Sequence, residues 1–243
     1  PLGGKGERFK KCNYDKPKPL IKVLDKEILF YVIDNLHVDV NDKIFIIYNK
    51  ELDDYHFKKI INEKYPYIHL KRLDYDTKGA AETVHLMTEY IIKHNLSNNL
   101  KTLLIDGDTF YTKDIIAMFK KCDENAVFYV KNYEKLPIFS YIKIVEDDGN
   151  GSKDIIVEIK EKNKISDNAN TGAYAFKDIN ELNRYAKYVI DNNITFNNEF
   201  YTSCIIHKML EDNYIFKGLL LNEKDVHVLG TPEQVNQYIR FNT

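Results

Sequence analysis

Near the amino end, three glycines within four positions are followed by two basic residues. The segment reads Gly3-Gly4-Lys5-Gly6-Glu7-Arg8, and Lys18 stands between two prolines further along. Glycines allow a backbone to approach a ligand closely and to turn several N–H groups toward one point, which is how a main chain holds phosphate oxygens. Arg8 would add a bidentate fork and Lys18 a mobile point charge. A plain glycine-rich turn is the commoner origin of such a loop, but the basic residues at this spacing favour a triphosphate site.

A second candidate is Asp106-Gly107-Asp108, which follows the short apolar run of residues 102–105. In open α/β sheets, ligands collect beyond the carboxyl ends of the strands. A carboxylate there could hold Mg²⁺ through one or two oxygens, while the ion keeps water and substrate phosphates as its other ligands. A simple Asp-Gly turn after a strand is an equally good interpretation of this segment alone.

Three weaker candidates lie in the second half of the chain. Residues 158–162 alternate in charge, which could be only the polar face of an edge strand, and Asn170-Thr171-Gly172 then opens a predicted strand. Glu199 stands at a predicted helix start, where it could simply be a first-turn carboxylate favoured by the helix dipole. Gly230-Thr231-Pro232 could be only a strand-to-helix cap.

The elements that must position these residues follow the pattern of βαβ units. Apolar runs typical of buried strands alternate with segments of helical spacing, so we predict an α/β fold with a mostly parallel central sheet flanked by helices. In the first half, the predicted strands are residues 43–48, 68–73 and 102–105, and the predicted helices are residues 51–64 and 82–94.

A predicted β-hairpin interrupts the parallel order in the second half. Residues 141–145 and 155–159 flank the turn Gly149-Asn150-Gly151. The other predicted strands are residues 126–130, 172–176, 216–221 and 226–229, and the predicted helices are residues 179–190, 199–210 and 232–241.

Composition excludes several classes of protein. The chain of 243 residues carries 35 basic and 37 acidic residues, so no net positive field exists to hold a nucleic acid. No apolar run approaches the roughly 20 residues that span a bilayer, and residues 1–9 lack the apolar stretch of a signal peptide, so we expect a cytoplasmic protein with no membrane partner. The cysteines are far apart and the histidines are scattered, which fits neither a disulfide framework nor a zinc site.

Taken in order, the motifs resemble the sugar-1-phosphate nucleotidyltransferase family, whose fold is GT-A-like and Rossmann-type. The family opens with Gly-Gly-x-Gly-x-Arg and then Pro-Lys-Pro-Leu, which match Gly3 to Arg8 and Pro17 to Leu20. Segments spread over essentially the whole chain match its later motifs: Thr77-Lys78-Gly79-Ala80-Ala81-Glu82, Asp108, Glu161-Lys162, Asn170-Thr171-Gly172, Glu199 and Gly230-Thr231-Pro232. The resemblance implies one nucleotidyltransferase domain over residues 1–243, which uses an NTP and a phosphorylated small molecule.

The resemblance also implies a role for each matched residue. Gly3, Gly4 and Gly6 would hold the triphosphate, and Gly79 and Ala80 would lie against the nucleobase. Leu2 and Asp106 would also bind the nucleotide. Of the catalytic residues, Arg8 would hold the triphosphate, Lys18 would neutralise charge at the α-phosphate, and Asp108 would bind Mg²⁺. Lys162 would hold the acceptor's phosphate, and the rest of the acceptor would be bound by Glu161, Asn170, Gly172 and Glu199. Catalysis would consist of alignment and charge stabilisation in an in-line attack on the α-phosphorus.

Two departures from the family pattern affect these expectations. The family commonly has a second metal-binding Asp or Asn two residues before the late glycine, where this chain has Val228. Asp225 is a weak substitute, because it is one residue out of phase on a strand. The family motif also normally follows a buried first strand, whereas this sequence begins inside the loop at Pro1. We therefore expect a chain that lacks its first strand, or that is excerpted from a longer polypeptide with a neighbouring domain.

Three other functions are compatible with the residues. A cytidylyltransferase for a non-sugar phosphate such as phosphocholine would keep the nucleotide loop and change only the acceptor pocket. A GT-A glycosyltransferase would use Asp106-Gly107-Asp108 as a metal site for a finished nucleotide sugar, but it leaves Arg8 and Lys18 unexplained. A regulatory domain that binds nucleotide without turnover would account for Val228. The sequence predicts neither the nucleobase nor an oligomeric state.

Overall fold

The computed structural model describes residues 1–97, 100–145 and 153–243. By its internal contacts, the chain divides into two compact units. The first unit comprises Pro1–Thr77, Asp106–Ile115 and Lys224–Thr243, and the second comprises Lys78–Ile105 and Ile116–Glu223. Within the described ranges, no helix is long and apolar enough to cross a membrane.

The described residues form strands and helices in alternation. The strands are β1 (Lys22–Val23), β2 (Lys26–Glu27), β3 (Phe45–Tyr48), β4 (His69–Arg72), β5 (Thr102–Ile105), β6 (Thr109–Tyr111), β7 (Asn125–Lys131), β8 (Ser140–Val145), β9 (Ile155–Glu161), β10 (Asn168–Phe176), β11 (Phe216–Leu220) and β12 (Val226–Val228). The helices are α1 (Glu7–Lys10), α2 (Ile28–Asp34), α3 (Phe57–Lys64), α4 (Ala80–Lys93), α5 (Ile115–Lys120), α6 (Ile179–Asp191), α7 (Thr202–Glu211) and α8 (Pro232–Asn242). Short 3-10 helices cover Lys18–Leu20, Lys50–Tyr55 and Glu223–Asp225.

Three backbone segments of the first unit run parallel. β3 pairs in parallel with β4, and Leu2 forms a parallel bridge to Tyr48. Successive carbonyls of a strand point to opposite edges, and Ile47 O accepts from Leu2 N while Tyr48 O accepts from Leu73 N. β3 therefore lies between Leu2 and β4, and all three segments end at the same edge.

A second pairing and an apolar core complete this unit. β6 pairs antiparallel with β12, with Val228 opposite Thr109. α8 follows directly, begun by Pro232 and capped by the Thr231 side chain, which accepts from Gln234 N. The core cluster is formed by buried side chains of β3, the helices beside it and the first strand segment: Leu2, Leu20, Leu29, Phe30, Ile33, Ile46, Tyr48, Leu52, Phe57, Ile61, Tyr65 and Ile68. Each large apolar side chain buried in this way contributes roughly 1.5–3 kcal/mol.

A six-stranded sheet with the order β5-β10-β7-β11-β9-β8 forms the second unit. β11 is parallel to β7, whereas β10 is antiparallel to both β5 and β7. β5, β7 and β11 therefore share one direction, with β10 inserted against them. β8 and β9 form an antiparallel hairpin, and the pairing of Tyr141 with Ala169 joins β8 back to β10. These pairings close part of the sheet into a ring.

Helices pack on this sheet by their apolar faces. α4, α6 and α7 contact one another, and α7 also contacts β9. In α4 the buried side chains include Ala81, Val84, Met87 and Ile91, which recur at the spacing of one helix face. α6 begins after Asp178, whose side chain accepts from Asn180 N at the helix start.

The predicted α/β class is confirmed, and most elements lie within two residues of their expected bounds. The expected parallel order holds for β3 with β4 and for β7 with β11, but β10 makes the six-stranded sheet mixed. The turn at residues 149–151 lies outside the described residues, although the hairpin that it joins is present. β9 pairs with β8 as far as Glu161 but with β11 at Ile155, so residues 158–161 border β8 on one side and the edge-strand interpretation is compatible with the structure there.

Three predicted elements differ from the structure for local reasons. The helix over residues 51–64 is split because His56 has a left-handed backbone with φ of 56°. The helix expected from residue 199 begins at Thr202, because Glu199 pairs in an extended bridge with Phe196. The strand expected from Gly172 begins four residues earlier at Asn168, and Gly172, with φ of 86°, lies within an irregular stretch of it.

The backbone at Gly79 touches the backbone at Phe200. Phe200 N donates to Lys78 O and Ala81 N donates to Phe200 O, both at 2.9 Å. A Cβ at Gly79 would lie 2.4 Å from Phe200 O and 2.6 Å from Phe200 N, and the Gly79 φ is 144°. Because the neighbouring hydrogen bonds hold the two segments together, only glycine fits at position 79.

Gly79→Ala should therefore lower the free energy of unfolding by about 1–3 kcal/mol, because the added methyl group overpacks the backbone of Phe200. Urea unfolding measures the change. Gly4→Ala is the matched control, since a Cβ at Gly4 meets nothing within 4 Å. The control should stay within about 0.5 kcal/mol of the parent chain. Equal unfolding midpoints for the two variants would contradict the constraint at Gly79.

Candidate active site

The glycine loop, residues 3–6, begins where the first parallel segment ends. Leu2 N donates to Ile47 O at 2.8 Å, and Asn49 N donates to Leu2 O at 3.0 Å, so the loop leaves the sheet beside the end of β3. Gly6 adopts a left-handed conformation with φ of 67° and precedes α1. A Cβ at Gly6 would lie 3.3 Å from the Cβ of Lys18. The absence of a side chain at Gly6 therefore lets the loop pass close to Lys18.

Lys18 forms an ion pair with Asp108. Its Nζ donates to Asp108 Oδ2, and the two side chains are 25% and 21% exposed. Thr109 Oγ1 donates to the other carboxylate oxygen of Asp108 at 3.3 Å. Both charged groups are partly buried. Their electrostatic interaction is therefore stronger than it would be at a fully exposed surface. The basic segment and the acidic strand tip, predicted separately from sequence, thus meet in the first unit.

Gly230 makes room for the Asp108 carboxylate. Leu229 N donates to Asp108 O at 2.7 Å, which holds the turn against β12. A Cβ at Gly230 would lie 3.0 Å from Asp108 Oδ2 and 3.2 Å from Gln234 Oε1. The late glycine motif therefore shapes the surroundings of Asp108 as well as preceding α8.

The structure does not bring Asp225 to Asp108. The β6 and β12 register places Val228 opposite Thr109, next to Asp108, whereas Asp225 precedes β12. The Asp225 carboxylate accepts from Thr112 Oγ1 at 3.2 Å. Asp225 stands three positions before Val228, which corresponds to roughly 10 Å along an extended chain at about 3.3 Å per residue. Asp108 is therefore the carboxylate of the predicted pair that stands beside Lys18.

The donor set at Asp108 fits a Mg²⁺ ion that shares its ligands with a nucleotide. Across residues 1–97, 100–145 and 153–243, no group of three His, Cys, Asp or Glu side chains could hold a metal ion by itself. Mg²⁺ commonly binds through one or two carboxylates and completes its shell with water and substrate phosphates. A single carboxylate next to a glycine loop is consistent with that mode of binding.

The other residues predicted for the nucleotide side differ in their surroundings. Leu2 is buried and packs on Gly107, where an added Cβ would lie 2.3 Å from Leu2 Cδ2. Asp106 is partly buried, and its carbonyl accepts from Thr109 N at 3.4 Å. Arg8 is exposed on α1, next to Phe9, which is buried. The structure brings Leu2 to the Asp108 turn, and Arg8 stays a predicted ligand of the triphosphate.

Gly79 and Ala80 lie in the second unit, where α4 begins. The hydrogen bonds described above fix this segment to Phe200. Glu199 and Tyr201 flank Phe200, and Tyr201 precedes the first turn of α7. The segment predicted to contact the nucleobase and a segment predicted to contact the acceptor are thus hydrogen-bonded to each other within this unit.

Lys162 is held beside α7 by Tyr201. The residue follows β9 with a left-handed backbone of φ 46°, and its N donates to Phe139 O at 2.9 Å. Lys162 Nζ donates to the Tyr201 hydroxyl at 2.6 Å and lies 4.6 Å from the centroid of that ring. The left-handed backbone at Lys162 ends the alternation of β9, so the predicted polar strand face of residues 158–162 does not extend to Lys162.

Glu161, the last residue of β9, is bound by α7. Ser203 Oγ donates to Glu161 Oε2 at 2.8 Å. Burial raises the pKa of Glu161 and nearby Glu199 adds to the rise, whereas Ser203 and Lys162 oppose it. The adjacent side chains of Glu161 and Lys162, one acidic and one basic, are thus both hydrogen-bonded at the start of α7.

Asn170 and Gly172 are hydrogen-bonded to each other within β10. Gly172 N donates to Asn170 Oδ1 at 2.7 Å, and Asn170 Nδ2 donates to Ser140 Oγ at 3.0 Å. Both residues are buried, and the strand register shifts between Asn170 and Tyr174. These contacts show a structural role for the Asn170 amide. Glu199 is exposed in the extended segment before α7.

Sequence reasoning assigned no role to Tyr201 or Ser203 in this group. Both follow Glu199 closely, so the segment was identified, but hydroxyl residues before and within a helix carry no signal of what they contact. Their partners are 39 and 42 residues away in the chain. Only the packing of α7 against β9 brings them together.

The sequence of this chain is similar to those of known proteins. Residues 2–218 match the family model described as nucleotidyl transferase. The chain is 31% identical over 184 residues to the bifunctional protein GlmU of Methanocaldococcus jannaschii, a match that covers 74% of this chain and 40% of that protein. The chain therefore spans less than half the length of this relative.

Solved structures share the fold. The nucleoside-diphosphate-sugar pyrophosphorylase from Vibrio cholerae RC9 superimposes with a TM-score of 0.85 at 19% identity, covering 99% of this chain and 98% of that one. The inositol-1-phosphate CTP transferase from T. maritima gives a TM-score of 0.69 at 13% identity, with 97% and 89% covered. The CTP:phosphocholine cytidylyltransferase from Streptococcus pneumoniae gives 0.69 at 18% identity, with 99% and 96% covered. As the resemblance to sugar-1-phosphate nucleotidyltransferases predicted, this chain belongs to the nucleotidyl transferase family of enzymes.

Proposed function

We propose that this chain transfers a nucleoside monophosphate from an NTP to a sugar 1-phosphate and releases pyrophosphate. Membership of the nucleotidyl transferase family supports the reaction type. The observation that carries the proposal is the pairing of Lys18 with Asp108 beside the glycine loop. This arrangement offers a triphosphate backbone N–H groups, a cation and a metal-binding carboxylate.

Lys18 has the central role in the proposed reaction. An acceptor phosphate oxygen forms a bond to the α-phosphorus as the bond to the bridging oxygen breaks, and pyrophosphate leaves with that electron pair. Lys18 neutralises the charge that develops at the α-phosphate, and the triphosphate replaces Asp108 as its anionic partner. The glycine loop and Arg8 hold the triphosphate in line, so that catalysis comes from alignment and charge stabilisation.

Asp108 is the residue that would hold Mg²⁺. When bound, the ion supplies further neutralisation of the triphosphate. Asp108 would supply the carboxylate ligand, and Val228 offers no second carboxylate next to Thr109. This division of ligands agrees with a metal that enters together with its nucleotide.

The acceptor is assigned to the anchored pair Glu161 and Lys162. Lys162 would bind the acceptor's phosphate through an ammonium that Tyr201 already orients. Glu161 and Glu199 would accept hydrogen bonds from hydroxyl groups of the acceptor, with Asn170 and Gly172 shaping the adjoining strand. A polyhydroxylated phosphate such as a sugar 1-phosphate suits these carboxylates.

A second candidate is a cytidylyltransferase for phosphocholine. One structural neighbour is a CTP:phosphocholine cytidylyltransferase. In this chain, the Lys162 ammonium lies 4.6 Å from the ring centroid of Tyr201 and 6.0 Å from that of Phe196. Aromatic rings that attract an ammonium group also suit the quaternary ammonium of choline.

A pyrophosphate-release assay separates the candidates. Each of ATP, CTP, GTP, UTP and dTTP is incubated with Mg²⁺ and either a sugar 1-phosphate from a panel or phosphocholine. We expect pyrophosphate with a sugar 1-phosphate and a preferred NTP. Release with CTP and phosphocholine alone would favour the second candidate. The absence of pyrophosphate from every combination would contradict both.

Asp108→Asn and Lys18→Ala should each lower kcat by about 10²–10³-fold, the scale for removal of one electrostatic stabiliser. Asp108→Asn weakens the metal ligand, and Lys18→Ala removes the charge at the reacting phosphate. Arg8→Ala should mainly raise KM for the NTP, because it removes binding of the triphosphate. Steady-state kinetics with the preferred substrate pair measure all three.

The control for these variants is Lys187→Ala, which breaks the exposed pair of Lys187 and Asp191 at 2.8 Å on α6. Its kinetics should match those of the parent chain. Turnover at the parent rate in Asp108→Asn would show that the metal assignment is wrong.

Glu161→Gln should stabilise the fold increasingly as the pH rises from about 4 toward neutrality. An unfolded glutamate has a pKa of about 4.3, and burial raises the folded pKa above this value. The carboxyl's contribution to stability is therefore complete below the unfolded pKa and is lost as the pH rises through the folded pKa. Glutamine stays neutral and can still accept from Ser203.

Urea unfolding of both chains across this pH range measures the difference. The same substitution at Glu89, an exposed residue of α4, is the control. A difference between Glu161→Gln and the parent that is constant with pH would contradict the raised pKa.

A further inference from the structure

We propose that Asn49 and Asp76 are positioning residues for the nucleotide, which hold the glycine loop in the shape that receives a triphosphate. The inference rests on the proposed function, because it takes residues 3–6 as the binding site for the NTP. Neither residue belongs to the glycine motif itself. Their contacts with the loop carry the inference.

Asn49 joins three segments of the first unit. Its side chain is buried, at 2% exposure. Nδ2 donates to Gly3 O at 3.2 Å and to Asp76 Oδ1 at 2.9 Å, while Oδ1 accepts from Glu51 N at 3.0 Å. Both amide hydrogens and the amide oxygen are thus engaged. A buried amide that is satisfied in this way fixes the segments that supply its partners.

Strand direction explains why these residues meet. Leu2, β3 and β4 run parallel, so their carboxyl ends lie at one edge of the sheet. Gly3 follows Leu2, Asn49 follows β3, and Asp76 follows β4 after a short interval. Gly3, Asn49 and Asp76 therefore each follow the end of one of these three segments. Ligands of open α/β sheets bind at such an edge.

Asp76 holds the loop at a second point. Lys5 Nζ lies 2.8 Å from Asp76 Oδ2, with the two side chains 40% and 42% exposed. Lys5 stands between Gly4 and Gly6, so Asp76 reaches the loop directly through Lys5 and indirectly through Asn49. Exposed ion pairs are weak. The buried Asn49 is therefore the main support, and the Lys5 pair is secondary.

The support matters because glycines do not hold a shape by themselves. A Cβ at Gly4 would meet nothing within 4 Å, so local packing does not restrain that residue. An unsupported glycine segment loses much conformational freedom on binding a ligand. A loop that is ordered in advance avoids that loss and binds more tightly. Removal of these hydrogen bonds should weaken binding of the nucleotide and leave binding of the acceptor unchanged.

Asn49→Asp separates the two functions of the side chain. Aspartate has nearly the same shape and still accepts from Glu51 N, so the cap of the 3-10 helix Lys50–Tyr55 is kept. The variant lacks both side-chain N–H donors, so Gly3 O and Asp76 Oδ1 lose their hydrogen bonds from position 49. We expect about a tenfold rise in KM for the NTP and in Kd for inorganic tripolyphosphate, as for one lost hydrogen bond. KM for the acceptor should not change.

The double variant Asn49→Asp/Asp76→Asn removes the repulsion that two adjacent carboxylates would create. Its new amide can donate to the new carboxylate, so thermal stability should recover relative to Asn49→Asp. Affinity for the NTP should stay low, because Gly3 O still has no donor from position 49. Recovery of both stability and NTP affinity would overturn the direct role of Asn49 at Gly3.

Asn125→Asp is the matched control. Asn125 is also buried, at 5% exposure, and its side chain also bridges backbone groups, donating to Ile215 O and accepting from Lys177 N. It lies in the second unit at the start of β7. This variant should lose stability with no change in KM for the NTP.

The outcomes distinguish the inference from the proposed function. A parent chain that neither binds tripolyphosphate nor releases pyrophosphate from any NTP contradicts the proposed function. A parent chain with normal turnover and an Asn49→Asp variant with unchanged KM for the NTP overturn the inference alone. An equal rise of KM for the NTP and the acceptor in Asn49→Asp also overturns it, because a general loss of structure would then explain the effect.

Discussion

The proposed nucleotide site depends on the parallel hydrogen bonding of Leu2, β3 and β4. Parallel strands finish at one edge, so the residues that follow them are brought together by backbone geometry alone. Gly3, Asn49 and Asp76 are neighbours for this reason, although they come from distant parts of the chain. Side-chain chemistry then refines an arrangement that the direction of three segments has already established.

Lys18 and Asp108 extend that arrangement to charge. The two residues lie 90 positions apart and meet because Gly6 lets the loop approach Lys18 while Gly230 leaves space for the carboxylate. At both positions, the lack of a side chain lets neighbouring groups lie close to the glycine backbone. Val228, opposite Thr109, adds no carboxylate to that of Asp108. The proposed Mg²⁺ would therefore take further ligands from water and substrate phosphates.

Much of this structure could be predicted from the sequence because its elements are strongly patterned. Buried strands such as β5 and the apolar face of α4 have a clear periodicity, and the order of the motifs indicated the family. Strand direction was harder, because an apolar run such as β10 carries no mark of whether its neighbours run with it or against it. The α/β pattern favoured parallel neighbours, whereas β10 is antiparallel to β5, β7 and β8.

The side-chain contacts of these residues could not be predicted from the sequence pattern. Tyr201 and Lys162 meet only after α7 has packed on β9, and the extended bridge at Glu199 overrides a helical spacing that looked continuous. Asn49 caps the 3-10 helix Lys50–Tyr55 by accepting from Glu51 N. Its bond to Gly3 depends on the parallel pairing of strands, which local periodicity does not encode.

The partnership of β6 with β12 has a consequence for synthesis of the chain. Asp108 and Lys18 leave the ribosome well before Leu229, whose amide holds the Asp108 turn. The second unit uses only Lys78–Ile105 and Ile116–Glu223, so its residues are all available for folding before β12 is made. A nascent polypeptide therefore completes the surroundings of Asp108 only after β12 and Leu229 have been made.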